Sequence, residues 1–207
     1  MRQIHKLEPP RAFTSFVKHQ TPQQWSELSH DNKNLYEQCV AALSAEQFGL
    51  SGYTEEVIDA KRCHIDHFRK RSLFKSPHQI FDWSNLILDN HSRLYGAYAK
   101  DNGANRATKI EDYALIINPV TENPQHFFTY QENGNIIPRH HLTPQERERA
   151  MRTIELFNLN HSALVQQRCG LIQMLRAAIE SGGYNTDEIY ECFNCAGFTS
   201  VIDNFMR

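Results

Sequence analysis

The residues best suited to catalysis lie together in one short stretch, Lys61–Lys75, which reads KRCHIDHFRKRSLFK. It contains six basic residues, two histidines and one acid, Asp66, which His67 follows directly. The β-branched and aromatic residues of 53–68 predict an irregular hairpin there, and adjacent side chains of a strand point to opposite faces. The carboxylate and the imidazole of an Asp-His pair in a strand can therefore have different roles, one holding a cation and the other working beside it. From composition alone, the stretch can equally be a solvated charged loop.

This pair suits the hydrolysis of a phosphodiester. Magnesium prefers a few oxygen ligands and keeps several waters, so one carboxylate and one further protein ligand suffice to hold it. A neutral imidazole, with an ordinary pKa of about 6.5, can accept a proton from an attacking water at neutral pH. The cation offsets the charge that develops on the phosphate and on the leaving oxygen. The dipeptide alone is common by chance, so specificity has to come from the residues that follow.

Two further polar motifs follow the pair along the chain. Trp83-Ser84-Asn85-Leu86 places an amide inside a short apolar segment, Phe81–Leu88, that predicts a strand or turn-strand. Asp89-Asn90-His91 then stands at the start of a predicted helix over Asn90–Lys100, with Leu94 and Tyr98 on one face. The order is Asp-His, then Asn in a strand, then Asn or His on a helix.

Three segments, IDHFRKRS, FDWSNLIL and ENPQHFFTYQENGNIIP, are followed by a helix that ends IELFNLN. As a set they resemble the HNH endonuclease subunit of Septu and retron-associated anti-phage defence systems, over roughly residues 55–170. The resemblance implies an α+β fold, a mainly helical domain around a small ββα-metal (HNH) core with short antiparallel strands. It also implies hydrolysis of DNA or RNA with one divalent metal ion, Mg²⁺ or alternatively Mn²⁺, and an ATPase subunit of the same defence system as partner.

The resemblance also implies roles for individual residues. Asp66 would bind the metal and His67 would be the general base, while the amide of Asn85 bonds backbone near the base and fixes its ring. The last metal ligand is His91, with Asn90 as the competitor because the register can slip by one. Contacts to the nucleic acid are expected from three residues, His64, Arg69 and Arg71, and His64 is alternatively an accessory metal ligand.

One departure from the family concerns a structural zinc. Many members carry two CxxC pairs around this core, but Gly49–Tyr53 stands in place of the first pair and Asp89–Gly96 has no cysteine. Tetrahedral zinc needs four sulfur or imidazole ligands, and only Cys63 lies near, so we expect no structural zinc. Apolar packing is expected to replace it, by Phe68, Phe81 and Trp83.

Two other functions stay open because of this departure. The chain can be a catalytically degenerate HNH-fold module that serves as a scaffold in the same kind of complex. Alternatively, Cys192 and Cys195 form a CxxC motif, which is either two ordinary helix cysteines or a redox or zinc-binding regulator.

Composition limits the class of protein. The chain has 207 residues, a formal net charge of −2 and five cysteines. A net charge so close to zero is not typical of a protein that binds polyanions over its whole surface. One small basic loop can neutralise only a few phosphates, so we expect substrate binding to need the partner. The apolar runs are far shorter than the ~20 residues of a membrane span, so no membrane association is expected. An odd cysteine count in a chain of this size favours a reducing compartment and a cytoplasmic location.

The sequence predicts one domain over 1–207 with helices at both ends and a β-containing centre. Its parts are a helical segment over 1–52, the ββα core over 53–101, and a β-hairpin with C-terminal helices over 102–207.

Turn and capping residues predict where the individual helices and strands begin and end. Residues 1–20 are expected to be irregular because Pro9-Pro10 blocks a helix start, and helices should follow Thr21-Pro22 and Asp31. A turn at 132–135 joins two strands, and Thr143 with Glu146 forms a capping box. The last two predicted helices run from about 160 to Gly182 and from Thr186 onward, the latter containing Ile189, Phe193 and Ile202.

Overall fold

The computed structural model describes residues 1–183 and 185–206 and has an α+β fold. Its two small antiparallel sheets are built from β1 (Cys63–His67) with β2 (Leu86–Asn90), and from β3 (Phe128–Tyr130) with β4 (Ile136–Pro138). The helices in the described residues are α1 (Arg11–Gln20), α2 (Ser26–Ser29), α3 (Lys33–Glu46), α4 (Ala97–Asn102), α5 (Pro124–Phe127), α6 (Pro144–Leu156), α7 (Ser162–Ser181), α8 (Thr186–Phe193) and α9 (Thr199–Phe205).

The β1–β2 hairpin lies between two hydrophobic clusters. Leu86 and Leu88 pack into the smaller cluster with the N-terminal helices, whereas Ile87 between them packs into the larger one. A strand that is buried on both faces has a continuous apolar sequence, which explains the run from Leu86 to Leu88. The register pairs Asp66 with Ile87 and His67 with Leu86. Asp66 therefore faces the larger cluster and His67 the smaller one, because cross-strand partners share a face.

The hairpin predicted within 53–68 is wrong. Residues 63–67 pair instead with 86–90, and the segment before β1 makes only an isolated bridge between Leu50 and Val57. Residues 86–90 are the better partner for β1, because their apolar side chains are buried on both faces of the two-stranded sheet. In contrast, the predicted strands on either side of 132–135 are confirmed as β3 and β4, with Gly134 in the left-handed region at φ 86°.

The predicted irregular N-terminus is also wrong, because residues Arg11–Gln20 form α1. Pro10 directly precedes this helix, at a position where the missing N–H of proline costs nothing. Phe13 and Phe16, three residues apart, are buried on one face. Their rings lie 5.2 Å from the Trp83 ring and 6.1 Å from the Phe81 ring, so α1 covers the smaller cluster.

Helix α4 begins at Ala97, seven residues later than predicted, and Leu94 and Tyr98 are exposed. Gly96 precedes it with φ 69°, and a Cβ there would lie 2.5 Å from Oδ2 of Asp89. The backbone can make this approach to Asp89 only with glycine. The helix therefore starts after Gly96.

The C-terminal predictions are confirmed in part. The capping box of Thr143 with Glu146 opens α6, and Gly182 ends α7 in the left-handed region at φ 62°. The single final helix is wrong: α8 and α9 are separated at Gly197, where a Cβ would lie 2.6 Å from the carbonyl oxygen of Glu55. This close approach bends the chain and lets α9 return to the fold.

Within residues 1–183 and 185–206, none of the helices has both the length and the apolar character that a bilayer crossing requires.

Candidate functional site

The imidazole of His67 is held at the end of β1 with only 5% of the residue exposed. Its Nε2 lies 2.8 Å from the carbonyl oxygen of Ile80, and the Trp25 ring packs edge-on at 4.6 Å. A carbonyl oxygen only accepts hydrogen bonds, so Nε2 carries the proton and Nδ1 carries the free lone pair.

Among the described residues, no hydrogen-bond partner lies at Nδ1 of His67, and the ring itself is almost fully buried. The pKa of His67 is lowered to about 3, mainly because the ring is buried. The hydrogen bond to Ile80 raises the pKa, and the charges of Arg71 and Lys100 contribute to lowering it. The ring is therefore neutral at physiological pH.

Asn85 braces the backbone that follows His67. Its Oδ1 accepts a hydrogen bond from the Arg69 backbone N–H at 2.8 Å, and its Nδ2 donates to the Arg69 carbonyl at 3.1 Å. Its own carbonyl oxygen accepts from the Phe68 N–H at 2.8 Å. The side chain is buried at the start of β2. This geometry is the one expected of an amide that fixes the chain beside the proposed base.

The Asp66 carboxylate, on the other face of β1, is bound by two buried side chains. Its Oδ2 accepts from the Tyr53 hydroxyl at 2.5 Å and lies 3.2 Å from Nζ of Lys100. The same Nζ donates to the His67 carbonyl oxygen at 2.9 Å and to Oδ1 of Asp101 at 2.7 Å. Lys100 therefore joins α4 to the Asp66-His67 pair, and we call these groups the Lys100 cluster: Tyr53, Asp66, Lys100, Asp101 and the carbonyl of His67.

Charge in the Lys100 cluster is balanced around the ammonium group. Burial by itself lowers the pKa of Lys100, but the nearby carboxylates of Asp66 and Asp101 outweigh it and the pKa is raised. Burial and the charge of Asp66 raise the pKa of Asp101 against the effect of Lys100. Burial and the neighbouring Asp66 also raise the pKa of Tyr53. Lys100 is thus a buried cation with two anionic neighbours.

The structure does not bring the predicted ligands Asn90 and His91 to Asp66. Asp66 pairs with Ile87, and Asn90 lies three residues farther along β2, about 10 Å at the rise of a strand. The Asn90 amide binds Val57 and Asp59 instead, accepting from the Asp59 N–H at 2.9 Å. His91 is exposed. The carboxylate that does lie beside Asp66 is that of Asp101.

His64 and His91 form a stacked pair at the other end of the hairpin. Their ring centroids are 4.5 Å apart and the planes differ by 13°. Burial and the neighbouring His91 lower the pKa of His64 to about 4. His64 is half-buried. The charges of Lys100 and Asp101 also act on His64, so the stack lies near the Lys100 cluster. Among the described residues, Nδ1 of His64 is a buried nitrogen without a hydrogen-bond partner.

Arg69 and Arg71, the predicted phosphate contacts, are both exposed. They follow His67 in the loop where Asn85 holds the backbone, and Arg71 is close enough for its charge to lower the pKa of His67. Two guanidinium groups are therefore available to an anion that approaches this end of β1.

Hydrogen bonds join the two segments where the resembled family has its cysteine pairs. The Ser51 hydroxyl donates to Oδ1 of Asp89 at 2.5 Å, and the Ala97 N–H donates to Oδ2 at 2.8 Å. The apolar packing predicted for this role is wrong, because Phe68 lies in the larger cluster and Phe81 and Trp83 lie in the smaller one. The buried carboxylate of Asp89 connects the Ser51 loop, β2 and the start of α4.

Asp89 is expected to make folding stability fall as pH rises. Burial raises its pKa to about 7, against the bonds from Ala97 and Ser51, while an unfolded Asp titrates near ~3.9. Between these values the folded chain holds a proton that the unfolded chain has lost. The contribution of Asp89 to the free energy of unfolding is complete below about pH 4 and falls by ~1.4 kcal/mol per pH unit up to about pH 7.

Urea unfolding of the wild type and Asp89→Asn at pH 5 and pH 7.5 measures this effect. The stability of the wild type relative to the variant should fall by about 2–3 kcal/mol between the two pH values. The exposed Asp187→Asn serves as the control and should give no such change. A difference between wild type and Asp89→Asn that stays constant would contradict the assignment.

A search of the described residues finds no group of three or more His, Cys, Asp and Glu side chains placed to hold a metal ion. Cys192 and Cys195 are exposed free thiols, and Cys63 is a half-buried free thiol.

No protein-family model matches the sequence, and no curated protein is significantly similar to it. The resemblance of its motifs to HNH endonucleases therefore stays a prediction.

Three residues of the Lys100 cluster escape sequence reasoning: Tyr53, Lys100 and Asp101. A helix from Asn90 to Lys100 would end at this lysine, whereas the observed α4 begins after Gly96, ends at Asn102 and carries Lys100 in its last turn. The signal that points to them is Gly96 itself, since a glycine before Ala-Tyr-Ala-Lys can start a helix.

Proposed function

We propose that this chain is a metal-dependent HNH endonuclease that hydrolyses phosphodiester bonds of DNA or RNA. The observation that carries the proposal is the fixed His67 ring, whose Nε2–H is bound to the Ile80 carbonyl and whose Nδ1 is free to accept a proton. An imidazole held in one tautomer with a free lone pair is the arrangement that general-base hydrolysis needs.

The local architecture supports the same function. Two antiparallel strands, β1 and β2, precede a short helix, α4, and the helix returns to the first strand through Lys100. Asp66 and His67 end the first strand, and Asn85 directly precedes the second. The order of strand, strand and helix supports the ββα core that the HNH resemblance implies, whereas Asn90 and His91 lie before the helix and not in it.

The oxygen atoms beside Asp66 already hold a cation. Oxygens of Asp66, Asp101 and the His67 backbone lie within 3.2 Å of the Lys100 nitrogen. Magnesium and manganese are bound by oxygen sets together with waters, but the buried ammonium occupies the centre of this set. In this arrangement the residues around Asp66 do not fit a divalent ion, and the proposed chemistry rests on His67 and the two arginines that follow it.

His67 would act on the water that attacks phosphorus. Nδ1 takes the water proton as the new P–O bond forms, and the leaving oxygen takes a proton from solvent as the old P–O bond breaks. A base with a pKa of about 3 is weak, but the negative charge of a bound phosphodiester raises the pKa of a neighbouring imidazole. Arg71, whose charge acts on the ring, and Arg69 in the same loop would hold that phosphate.

The proposed setting is an anti-phage defence complex in which an ATPase subunit is the partner. The formal net charge of −2 supports a partner, since the chain has no basic excess with which to hold nucleic acid alone. We expect the isolated chain to cleave slowly and the complex to cleave faster.

The second candidate is a non-catalytic scaffold with the same ββα framework. The observation in its favour is that Lys100 already neutralises Asp66, and that both side chains are buried. A scaffold needs neither a free carboxylate nor an accessible base.

Incubation of the purified chain with supercoiled plasmid and with end-labelled RNA, in Mg²⁺ or in EDTA, separates the two candidates. A nuclease converts plasmid to the nicked form or shortens the RNA, and does so only with the divalent ion. A scaffold leaves both substrates intact under all conditions, including in the presence of excess Mn²⁺.

A further inference from the structure

A cavity of about 310 Å³ lies just beyond the end of β1. Its walls come from Phe68 and Arg69, from the 3₁₀ helix Ile110–Leu115, from residues 116–122 and from α6. Arg69 and Thr121 are exposed, so the cavity opens to solvent. Its volume is at the lower end of the range of ~300–1,000 Å³ that is usual for ligand pockets. It therefore suits one small, flat ring system.

The cavity is joined to the loop that follows His67. The Lys70 backbone N–H donates to the Tyr113 hydroxyl at 3.0 Å. The Asn85 side chain binds both the N–H and the carbonyl of the Arg69 backbone. Arg69 is two residues beyond His67, about 7 Å in an extended chain. A group bound in the cavity would therefore lie next to a phosphate at His67.

The apolar part of the wall is formed by Ile110, Tyr113 and Ile116. Ile110 is 40% exposed, whereas the other two are buried. The Tyr113 ring packs edge-on against the Phe68 ring at 5.7 Å, which fixes its position. A flat ring system that enters the cavity would bury the exposed surface of Ile110, and such burial of apolar area is favourable.

The polar part of the wall offers unused hydrogen-bonding groups. The Arg69 guanidinium, the Asn118 side-chain nitrogen and the Thr121 hydroxyl have no hydrogen-bond partner in the part of the chain that the structure describes, and all three residues line the cavity. Oδ1 of Asn118 is already engaged, because it accepts from the Val120 N–H at 2.9 Å. The free groups are mainly donors, and donors pair with the ring nitrogens and carbonyl oxygens of nucleobases.

The charge of the lining favours an anionic ligand. The Glu122 carboxylate lines the cavity too, but Arg149 binds both of its oxygens at 2.8 Å. This pair is neutral as a whole, so the lining keeps one positive charge, that of Arg69. A phosphate ester attached to the bound ring system would be attracted to this guanidinium.

We propose that the cavity is a base-binding subsite, which takes the base of one unpaired nucleotide next to the phosphate that is cleaved. The proposal rests on the proposed function for the identity of the ligand, and it adds the substrate class, single-stranded nucleic acid. A base in a duplex is paired and stacked, so it enters a side cavity only from a single strand or after leaving the helix. Arg69 would connect the base to the phosphate.

Methyl NMR of the chain labelled at isoleucine, recorded in EDTA, tests the proposal without cleavage. The probes are AMP, CMP, GMP, UMP and their 2′-deoxy forms, which distinguish an RNA base from a DNA base. At least one probe should move the Ile110 and Ile116 signals until they saturate, whereas the buried Ile172 should not respond. No shift with any of these nucleotides, or the same shift with inorganic phosphate, would overturn the proposal.

Asn118→Asp tests the polar wall. It keeps an acceptor for the Val120 N–H but replaces the free donor with a negative charge, so nucleotide affinity should fall at least about fivefold. Asn133→Asp is the matched control, since Oδ1 of the exposed Asn133 accepts from the Asn135 N–H in the same way. The control should bind like the wild type, and equal affinity of the two variants would refute the subsite. If Asn118→Asp fails to fold, the titration of the wild type decides.

A short single-stranded oligonucleotide and the duplex with its complement test the substrate class. The single strand should shift the Ile110 and Ile116 signals at a concentration at least about tenfold lower than the duplex, because a duplex has to unpair a base first. An equal response to both would remove the preference for single strands, and the proposal with it.

Failure of the proposed function gives a different result. The NMR measurements need neither catalysis nor a metal ion, so base binding without any cleavage of plasmid or RNA would remove the nuclease and leave the subsite. Cleavage by a chain whose Ile110 and Ile116 signals never respond to nucleotides would do the reverse.

Discussion

Lys100→Met should lower the free energy of unfolding by about 3–5 kcal/mol in EDTA, because removing one partner of a buried ion pair leaves the other charge unpaired. The partners left behind are the buried Asp66 carboxylate and the carbonyl oxygen of His67. Methionine fills nearly the same volume as lysine, so the loss reports charge rather than packing. A domain of ordinary stability, ~5–15 kcal/mol, stays folded after this change.

Urea unfolding in EDTA measures the effect, and the double variant Asp66→Asn/Lys100→Met separates its cause. Removing the carboxylate charge as well should restore part of the lost stability, since the uncompensated buried charge disappears. The exposed Lys61→Met is the matched control and should change stability by less than about 0.5 kcal/mol. A loss below 1 kcal/mol for Lys100→Met would show that the Lys100 cluster does not hold α4 against β1.

His67→Gln should reduce the rate of nucleic-acid cleavage by about 10²–10⁴-fold, the usual contribution of a general base. Glutamine can keep the hydrogen bond to Ile80 through its side-chain N–H, but its amide cannot accept a proton from water. The variant therefore removes the basic nitrogen and leaves the main contact of the ring.

Single-turnover cleavage with enzyme in excess is the appropriate measurement, since it reports the chemical step. The exposed His78→Gln, in the loop between β1 and β2, is the control and should cleave at the wild-type rate. Equal unfolding midpoints for the two variants would confirm that His67→Gln is folded. Undiminished cleavage by folded His67→Gln would exclude His67 as the base.

Local sequence patterns were sufficient for the parts of the site that lie in strands. Alternation in β1 predicted that Asp66 and His67 face opposite sides, and the register shows that they do, each toward a different hydrophobic cluster. Strand periodicity fixes side-chain direction, so this feature needs no tertiary information. The HNH resemblance, and not a spacing rule, implies an amide at Asn85 that bonds backbone near His67, and the Asn85 side chain bonds the backbone of Arg69.

The rest of the site depends on contacts between distant segments. Asp101 stands beside Asp66 because α4 starts at Ala97, and that start is set by the approach of Gly96 to the buried Asp89. The spacing of residues along the chain does not predict this contact between Gly96 and Asp89. The prediction of Asn90 and His91 as metal ligands is wrong for the same reason. It depends on a helix that begins at Asn90, whereas α4 begins at Ala97.

The N-terminal helix shows the limit of proline as a signal. Pro9-Pro10 predicts an irregular segment, but a proline disfavours a helix only in the residues before it and favours the first helical turn after it. The burial of Phe13 and Phe16 against Phe81 and Trp83 then stabilises α1. Here tertiary packing decides what local propensity leaves open.

The central claim is that water, deprotonated at Nδ1 of His67, attacks the phosphorus of a nucleic acid. The most direct test is cleavage of a labelled oligonucleotide by the wild-type chain with Mg²⁺ in ¹⁸O-enriched water, followed by mass spectrometry of the new terminal phosphate. One ¹⁸O atom is expected in that phosphate. A product without ¹⁸O, such as the cyclic phosphate formed when RNA attacks itself, or the complete absence of product, would contradict it.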